Sequence, residues 1–331
     1  MALSEEKINF FNERADIYFL RSKKILEQES LNPVVSMEFF GSRKGIFCGI
    51  KEIVEILSDI LSSHDEIWTI EEGEEFDEKE IVLRIKAPYN SFGYLETSLL
   101  GMLAHESGWA TAARECVEAA QNIPVISFGA RHVHPDVVGR MEYAAQVGGC
   151  AGAATTIGAG SFNRNPIGTI PHAMILIFND TVKAALAFDK YMEKDVARVI
   201  LIDTFKDEVE EARRVAKEMK DKLWGVRLDT PSERGGVTPD LVKEVRYALD
   251  TEGCKHAKIV VSGGVNPEKI KNFVKEKAPV DIFGIGSYIT KAPPIDFTAD
   301  IKEINGIPIT KRGRIPGITN NPKLKKIKLK G

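Results

Sequence analysis

The feature that most constrains this chain is a change of rhythm at residue 123. From there to residue 290, short apolar runs alternate with long charged segments of helical periodicity, such as KDEVEEARRVAKEMKDK (206–222). The runs are PVISF (124–128), CAGAAT (150–155), RVILID (198–203), WGVRLD (224–229), AKIVVSG (257–263) and VDIFGIG (280–286). Strands that alternate strictly with helices imply a parallel sheet with the helices packed outside it. Six such units are more than half of an eight-unit α/β barrel, and periodicity leaves an open doubly wound sheet as the alternative.

The front of the chain reads differently. Residues 1 to about 30 have an amphipathic helical pattern, and 32–41 alternate as a strand does. A helix follows with apolar positions Ile50, Ile53, Val54, Leu57, Ile60 and Leu61. Strand-like EIWTIEEG and EIVLRIKAP then precede a helical stretch over 93–121. This part is α+β. Residues 291–331 are rich in Pro and Lys and read as irregular, either packed back on the front part or partly loose. The expected domains are 1–122, with 291–331 added to it, and 123–290.

Composition narrows the function classes. A chain of 331 residues has room for a large α/β domain and a smaller one. Its net charge of -3, from 45 basic and 48 acidic residues, gives no global reason to bind nucleic acid. No segment approaches the roughly 18 uncharged apolar residues of a membrane span. The start, MALSEEKINFFNERAD, carries charges where a signal peptide needs an apolar run, so a cytoplasmic protein is expected. Cys48, Cys116, Cys150 and Cys254 are scattered without metal-knuckle spacing and read as reduced and structural.

In a parallel barrel, chemistry gathers where strands end. Here the apolar runs stop at Arg131 and His132, at Asp203, at Asp229, at Ser262-Gly263-Gly264, and at Gly284, Gly286 and Ser287. Glycine-rich turns after buried strands expose backbone N–H groups that suit a phosphate. Tight turning alone is the bland reading, but two such loops in the same relative place favour phosphate. Arg227 and Asp229 lie two apart on one strand and so share a face. They form either a structural ion pair or a site in which Arg227 forks onto a substrate carboxylate while Asp229 takes ribose hydroxyls or metal-bound water. His172, after Gly168-Thr169-Ile170-Pro171, sits at an expected helix start, where the dipole favours a neutral imidazole able to act as base or nucleophile. A lone histidine at such a place is more often a cap or a packing residue.

Together these segments resemble the nicotinate phosphoribosyltransferase family, among the type II phosphoribosyltransferases. The matching motifs, in the family's order, are ISFGARHVHPD (126–136), GGCAGAATTIGA (148–159), GTIPHAM (168–174), GVRLDTPSERGG (225–236), VVSGGVN (260–266) and FGIGSY (283–288). DIYF (16–19), APYNSFGYLETSLLG (87–101) and Lys311-Arg312-Gly313-Arg314 fit as well, so the likeness spans about 14–316. It implies an incomplete parallel α/β barrel with an α+β domain built from the N- and C-terminal segments. It implies a homodimer with shared active sites. Phe128 and the partner's Tyr18 would sandwich a pyridine ring, and Arg227 would bind its carboxylate. Arg131 would neutralise phosphoribosyl pyrophosphate. Ser262 to Gly264 and Gly284, Gly286 and Ser287 would hold the 5′-phosphate. Thr169 and Asp203 would complete the substrate contacts. His172 would be phosphorylated by ATP, and Mg²⁺ would accompany the pyrophosphate near Asp203 and Asp229. Where family members carry a second arginine after Gly-Ala-Arg, this chain has His132.

The expected reaction is therefore formation of nicotinate mononucleotide, with ATP coupled to it. The alternatives are a decarboxylating quinolinate phosphoribosyltransferase, whose second carboxylate needs a denser basic pocket, a nicotinamide-using enzyme, or a non-catalytic or phosphosugar-isomerising phosphate-binding barrel.

Overall fold

The computed structural model describes residues 5–329; Met1–Ser4, from the charged start, and the last two residues of the lysine-rich end lie outside the described residues. The chain divides into two compact units, Met1–Thr111 with Pro293–Gly331, and Ala112–Ala292. The division falls inside a 25-residue helix, Glu96–Ala120, rather than at 122/123 where the sequence rhythm changes. The rhythm marks the end of that helix.

The first unit is built on a six-stranded antiparallel sheet, in the order Ile307–Pro308, Phe297–Ile304, Val34–Gly41, Ile81–Pro88, Glu66–Thr69, Lys325–Ile327. The central strand Val34–Gly41 pairs on both sides, with Met37 opposite Ile85 on one and Ile301 on the other. Helix Ile50–Ser58 lays Ile50, Ile53, Ile56 and Leu57 into the core, which also holds the fully buried Phe39, Phe47, Phe76 and Phe92. Each such side chain contributes about 1.5–3 kcal/mol on burial. The tail corrects the sequence reading. Residues 291–331 are not irregular throughout: FTADIKEI is an eight-residue strand beside the central one, and two shorter strands follow it. Charged residues inside Phe297–Ile304 and Lys325–Ile327 masked those two. The N-terminal stretch is likewise two helices, Glu5–Asn12 and Ile17–Gln28, with Asp16 at the N-cap position of the second.

The second unit carries the six expected strands: β1 (Val125–Ser127), β2 (Gly152–Ala153), β3 (Val199–Leu201), β4 (Gly225–Leu228), β5 (Lys258–Val261) and β6 (Ile282–Ile285). All five pairings are parallel, in the order β2-β1-β6-β5-β4-β3. The last strand thus returns to pair with the first, and sequence neighbours pair everywhere except between β2 and β3. This is an incomplete parallel α/β barrel, open where the long connection 154–198 replaces further strands. The outer helices start where their sequences specify. Asp207, Thr238 and Asn266 accept backbone N–H groups as N-caps, with Pro239 and Pro267 at the first helical positions. No helix among the described residues is long and apolar enough to cross a membrane, and all four cysteines are free and buried.

Candidate active site

Parallel strands bring their C-terminal ends to one rim, and there the second unit has a cavity of about 650 Å³. Phe128, Arg131, Thr169, His172, Arg227, Asp229, Ser262, Gly263, Gly264, Gly284, Gly286 and Ser287 all line it. They come from five strand ends or connections far apart in sequence.

Arg227 organises its floor. Nε donates to Ser262 Oγ at 2.9 Å, Nη1 to Thr169 Oγ1 at 2.9 Å and Nη2 to Asp229 Oδ2 at 2.6 Å. Ser262 Oγ in turn donates to Asp229 Oδ1 at 2.9 Å. The Arg227–Asp229 ion pair is therefore real, and both oxygens of Asp229 are engaged. Asp229 acts first as the fixed counter-charge that orients Arg227. A guanidinium has five N–H donors, so two remain for a ligand. Phe128 lies beside it, its ring centroid 5.3 Å from the guanidinium carbon. An apolar ring face next to a held cation suits a flat anionic ring.

The glycines have distinct reasons. A Cβ on Gly284 would stand 2.5 Å from the Phe128 ring, so only glycine lets that ring lie there. Gly263 and Gly264 have φ of +82° and +64°, and a Cβ on Gly263 would come within 3.2 Å of Asp229 Oδ1. The chain after β5 thus turns in the left-handed region directly over Asp229.

His172 begins the helix His172–Phe178. That helix is short, and what fixes the ring is a carboxylate: Nε2 lies 3.0 Å from Asp203 Oδ2. Asp203 thus orients the ring, and it is His172 that lines the cavity. Asp203 is 1% exposed and His172 42% exposed, so the pair runs from the interior to the cavity. Burial pushes the Asp203 carboxyl above its ordinary range, the hydrogen bond from His172 opposes this, and the Asp229 charge adds to it. With Nε2–H donated to Asp203, Nδ1 is the nitrogen left for chemistry. Asp203 Oδ1 is buried without a hydrogen-bond partner.

His132 was noted in the sequence at the end of the first run; Thr155 and Glu142 were missed by sequence reasoning. His132 lines the cavity, with Nε2 3.4 Å from Ser287 Oγ. Thr155 lines it opposite in sequence space, and Glu142 holds it there. The Glu142 carboxylate, fully buried, accepts from the N–H groups of Ala154 at 2.9 Å and Thr155 at 3.2 Å and from the Thr155 hydroxyl. A glutamate inside an amphipathic helix gives no signal of this; only the fold brings it under the loop. Tyr18 belongs to the first unit, where it is 56% exposed on helix Ile17–Gln28. Among the described residues no group of three or more His, Cys, Asp or Glu could hold a metal ion.

Comparison with known proteins bears on this geometry. The model for the quinolinate phosphoribosyl transferase N-terminal domain matches residues 16–107, and that for the C-terminal domain matches 109–300. A nicotinate phosphoribosyltransferase of Mycobacterium tuberculosis is 27% identical over 252 residues, 74% of this chain and 53% of its own. That of Bacillus subtilis is 29% identical over 231 residues, 68% of this chain and 46% of its own. The chain spans about half the length of the curated relatives it matches. The crystal structure of nicotinate-nucleotide pyrophosphorylase from Pyrococcus furiosus is similar with a TM-score of 0.86 and 41% identity, covering 96% of this chain and 81% of that one. Human nicotinic acid phosphoribosyltransferase, at 14% identity and a TM-score of 0.68 over 92% of this chain and 77% of that one, shares the fold.

Proposed function

This chain belongs to the quinolinate phosphoribosyl transferase family, and from that premise we propose that it is a nicotinate phosphoribosyltransferase serving NAD biosynthesis. The observation that carries the choice of substrate is the Arg227–Phe128 pair: one oriented guanidinium with two free donors beside one aromatic face. That is the recognition a planar monocarboxylate needs. The pyridine nitrogen attacks ribose C1′ of phosphoribosyl pyrophosphate as the C1′–O bond breaks, and pyrophosphate leaves with the bonding pair. The ring nitrogen already carries its lone pair, so the protein need not supply a base. Its work is positioning and charge stabilisation.

Arg131 and the two glycine loops are suited to the phosphates. Mg²⁺ carried on the pyrophosphate would neutralise the leaving group. His172, held by Asp203 with its other nitrogen free, has the arrangement of a residue phosphorylated by ATP. We further propose a homodimer in which the partner's Tyr18 adds the second aromatic face.

The family description favours a second reading, quinolinate with decarboxylation. Quinolinate carries another carboxylate. In this cavity it would have to draw Arg131 away from the phosphates. Product formation from nicotinate, nicotinamide and quinolinate with phosphoribosyl pyrophosphate, with and without ATP, decides between them. Nicotinate turnover stimulated by ATP is expected. Carbon dioxide release from quinolinate at equal or better kcat/KM would replace this reading with the second.

A further inference from the structure

The charge available to a phosphorylated substrate is set by which cations at the cavity are uncommitted. Arg227 is held by Asp229, and His172 by Asp203. Arg131 and His132, consecutive on the turn after β1, are the remaining cationic or potentially cationic residues of the lining.

That turn is tightly fixed. It follows Gly129, where a Cβ would meet Thr290 Cγ2 at 2.6 Å and Met141 Cε at 3.1 Å, and it is closed by the His132 N–H donated to Gly129 O at 2.9 Å. β1 and β6 are hydrogen-bonded neighbours, so their terminal loops lie side by side. The His132 ring crosses from one to the other. Its Nε2 reaches Ser287 Oγ at 3.4 Å, and a Cβ on Gly286 would stand 3.3 Å from the same nitrogen. The ring therefore rests on the glycine loop itself.

We propose that His132 is a phosphate-contacting residue of this site, acting with Ser287, and that its imidazole makes the binding of phosphoribosyl pyrophosphate weaken as pH rises. The inference rests on the transferase reading. An imidazole changes charge between about pH 5 and 8, whereas a guanidinium keeps its charge throughout. In the protonated form both ring nitrogens donate, so one can meet Ser287 while the other meets a phosphate oxygen. In the neutral form one donor and the charge are lost. Lys269 Nζ stands beside the neighbouring glycine loop, 3.6 Å from where a Cβ on Gly264 would lie. Arg131 stays charged, Tyr288 donates to Glu115 at 2.6 Å, and His134 pairs with Asp136 at 3.3 Å. The second ionisation of the ligand's own phosphate acts in the opposite direction, strengthening binding as pH rises.

The test is calorimetric binding of phosphoribosyl pyrophosphate to the full chain from about pH 5.5 to 8.5, for wild type, His132→Arg and His132→Gln. Ligand titration and His172 are common to all three, so differences between them isolate His132. The wild-type Kd is expected to match His132→Arg at the acid end and to approach His132→Gln at the alkaline end. The gap from His132→Arg should open by about tenfold, the size of one charge-assisted hydrogen bond. His132 is exposed, and melting temperatures of the variants should stay at the wild-type value. A wild-type curve parallel to that of His132→Arg across the range overturns the inference and leaves the transferase reading standing. If none of the proteins binds phosphoribosyl pyrophosphate at any pH, the transferase reading falls and the inference with it.

Discussion

Arg227 directs three of its five N–H donors into the protein, to Ser262, Thr169 and Asp229. This costs it donors for substrate and gives it orientation. A lysine has the same charge but no planar fork, and its three donors leave none for substrate once Ser262, Thr169 and Asp229 are met. Arg227→Lys should therefore lower kcat/KM for nicotinate by about ten- to a hundredfold, the worth of one to two charge-assisted hydrogen bonds. The KM for phosphoribosyl pyrophosphate should change little. Steady-state kinetics with each substrate varied separately measure this. A rise confined to the phosphoribosyl pyrophosphate KM would make Arg227 a phosphate ligand instead. The same residue shows what sequence alone could deliver. Spacing put Arg227 and Asp229 on one face and left ion pair and substrate site as rivals. The structure makes them one device, in which the ion pair orients the cation.

At the scale of elements, the parallel strands and their helices were legible because apolar strands and charged helices differ in period, while barrel and open sheet stayed rivals on that ground. Each of the six runs contains one of the six parallel strands. Strand order was not legible. The pairing of β6 with β1, and the gap between β2 and β3, are decided by long-range packing that no local window records. The same limit hid Glu142 and the strand Phe297–Ile304. Adjacent strands also impose a packing rule that can be tested. Gly284 on β6 and Phe128 at the end of β1 share space, since a Cβ on Gly284 would lie 2.5 Å from the ring. Gly284→Ala should displace the ring and weaken nicotinate binding, with a cost of about 1–3 kcal/mol from overpacking. In a double-mutant cycle with Phe128→Leu, whose smaller side chain relieves the crowding, the two effects should be strongly non-additive. Additive losses would mean that the ring does not lie against β6.

The antiparallel unit shows how the whole chain depends on both of its ends. Glu96 opens the helix Glu96–Ala120 and is half-buried. Its carboxyl is pushed up to about 7, first by burial, then by the charge of Asp300; Lys311 opposes this and Asp16 adds to it. Asp300 stands on the strand supplied by the C-terminal segment, where Lys311 and Arg314 pair with it, while Asp16 precedes the second N-terminal helix. Three segments distant in sequence thus set one ionisation. The folded state holds the Glu96 proton more tightly than the unfolded chain does. Its contribution to stability is therefore fully present below the ordinary glutamate range and is lost as pH rises through about 7. Glu96→Gln keeps the shape and removes the charge. It should leave acid stability nearly unchanged and raise stability at pH 8 by about 1–2 kcal/mol, solvent screening having been allowed for. Urea unfolding of both proteins at a series of pH values between about 5 and 8 checks this. Parallel curves, with no gap opening toward alkaline pH, would mean that the Glu96 carboxylate is as well solvated in the folded unit as in the unfolded chain. The difference between the curves, plotted against pH, should have its midpoint between the ordinary glutamate value and about 7.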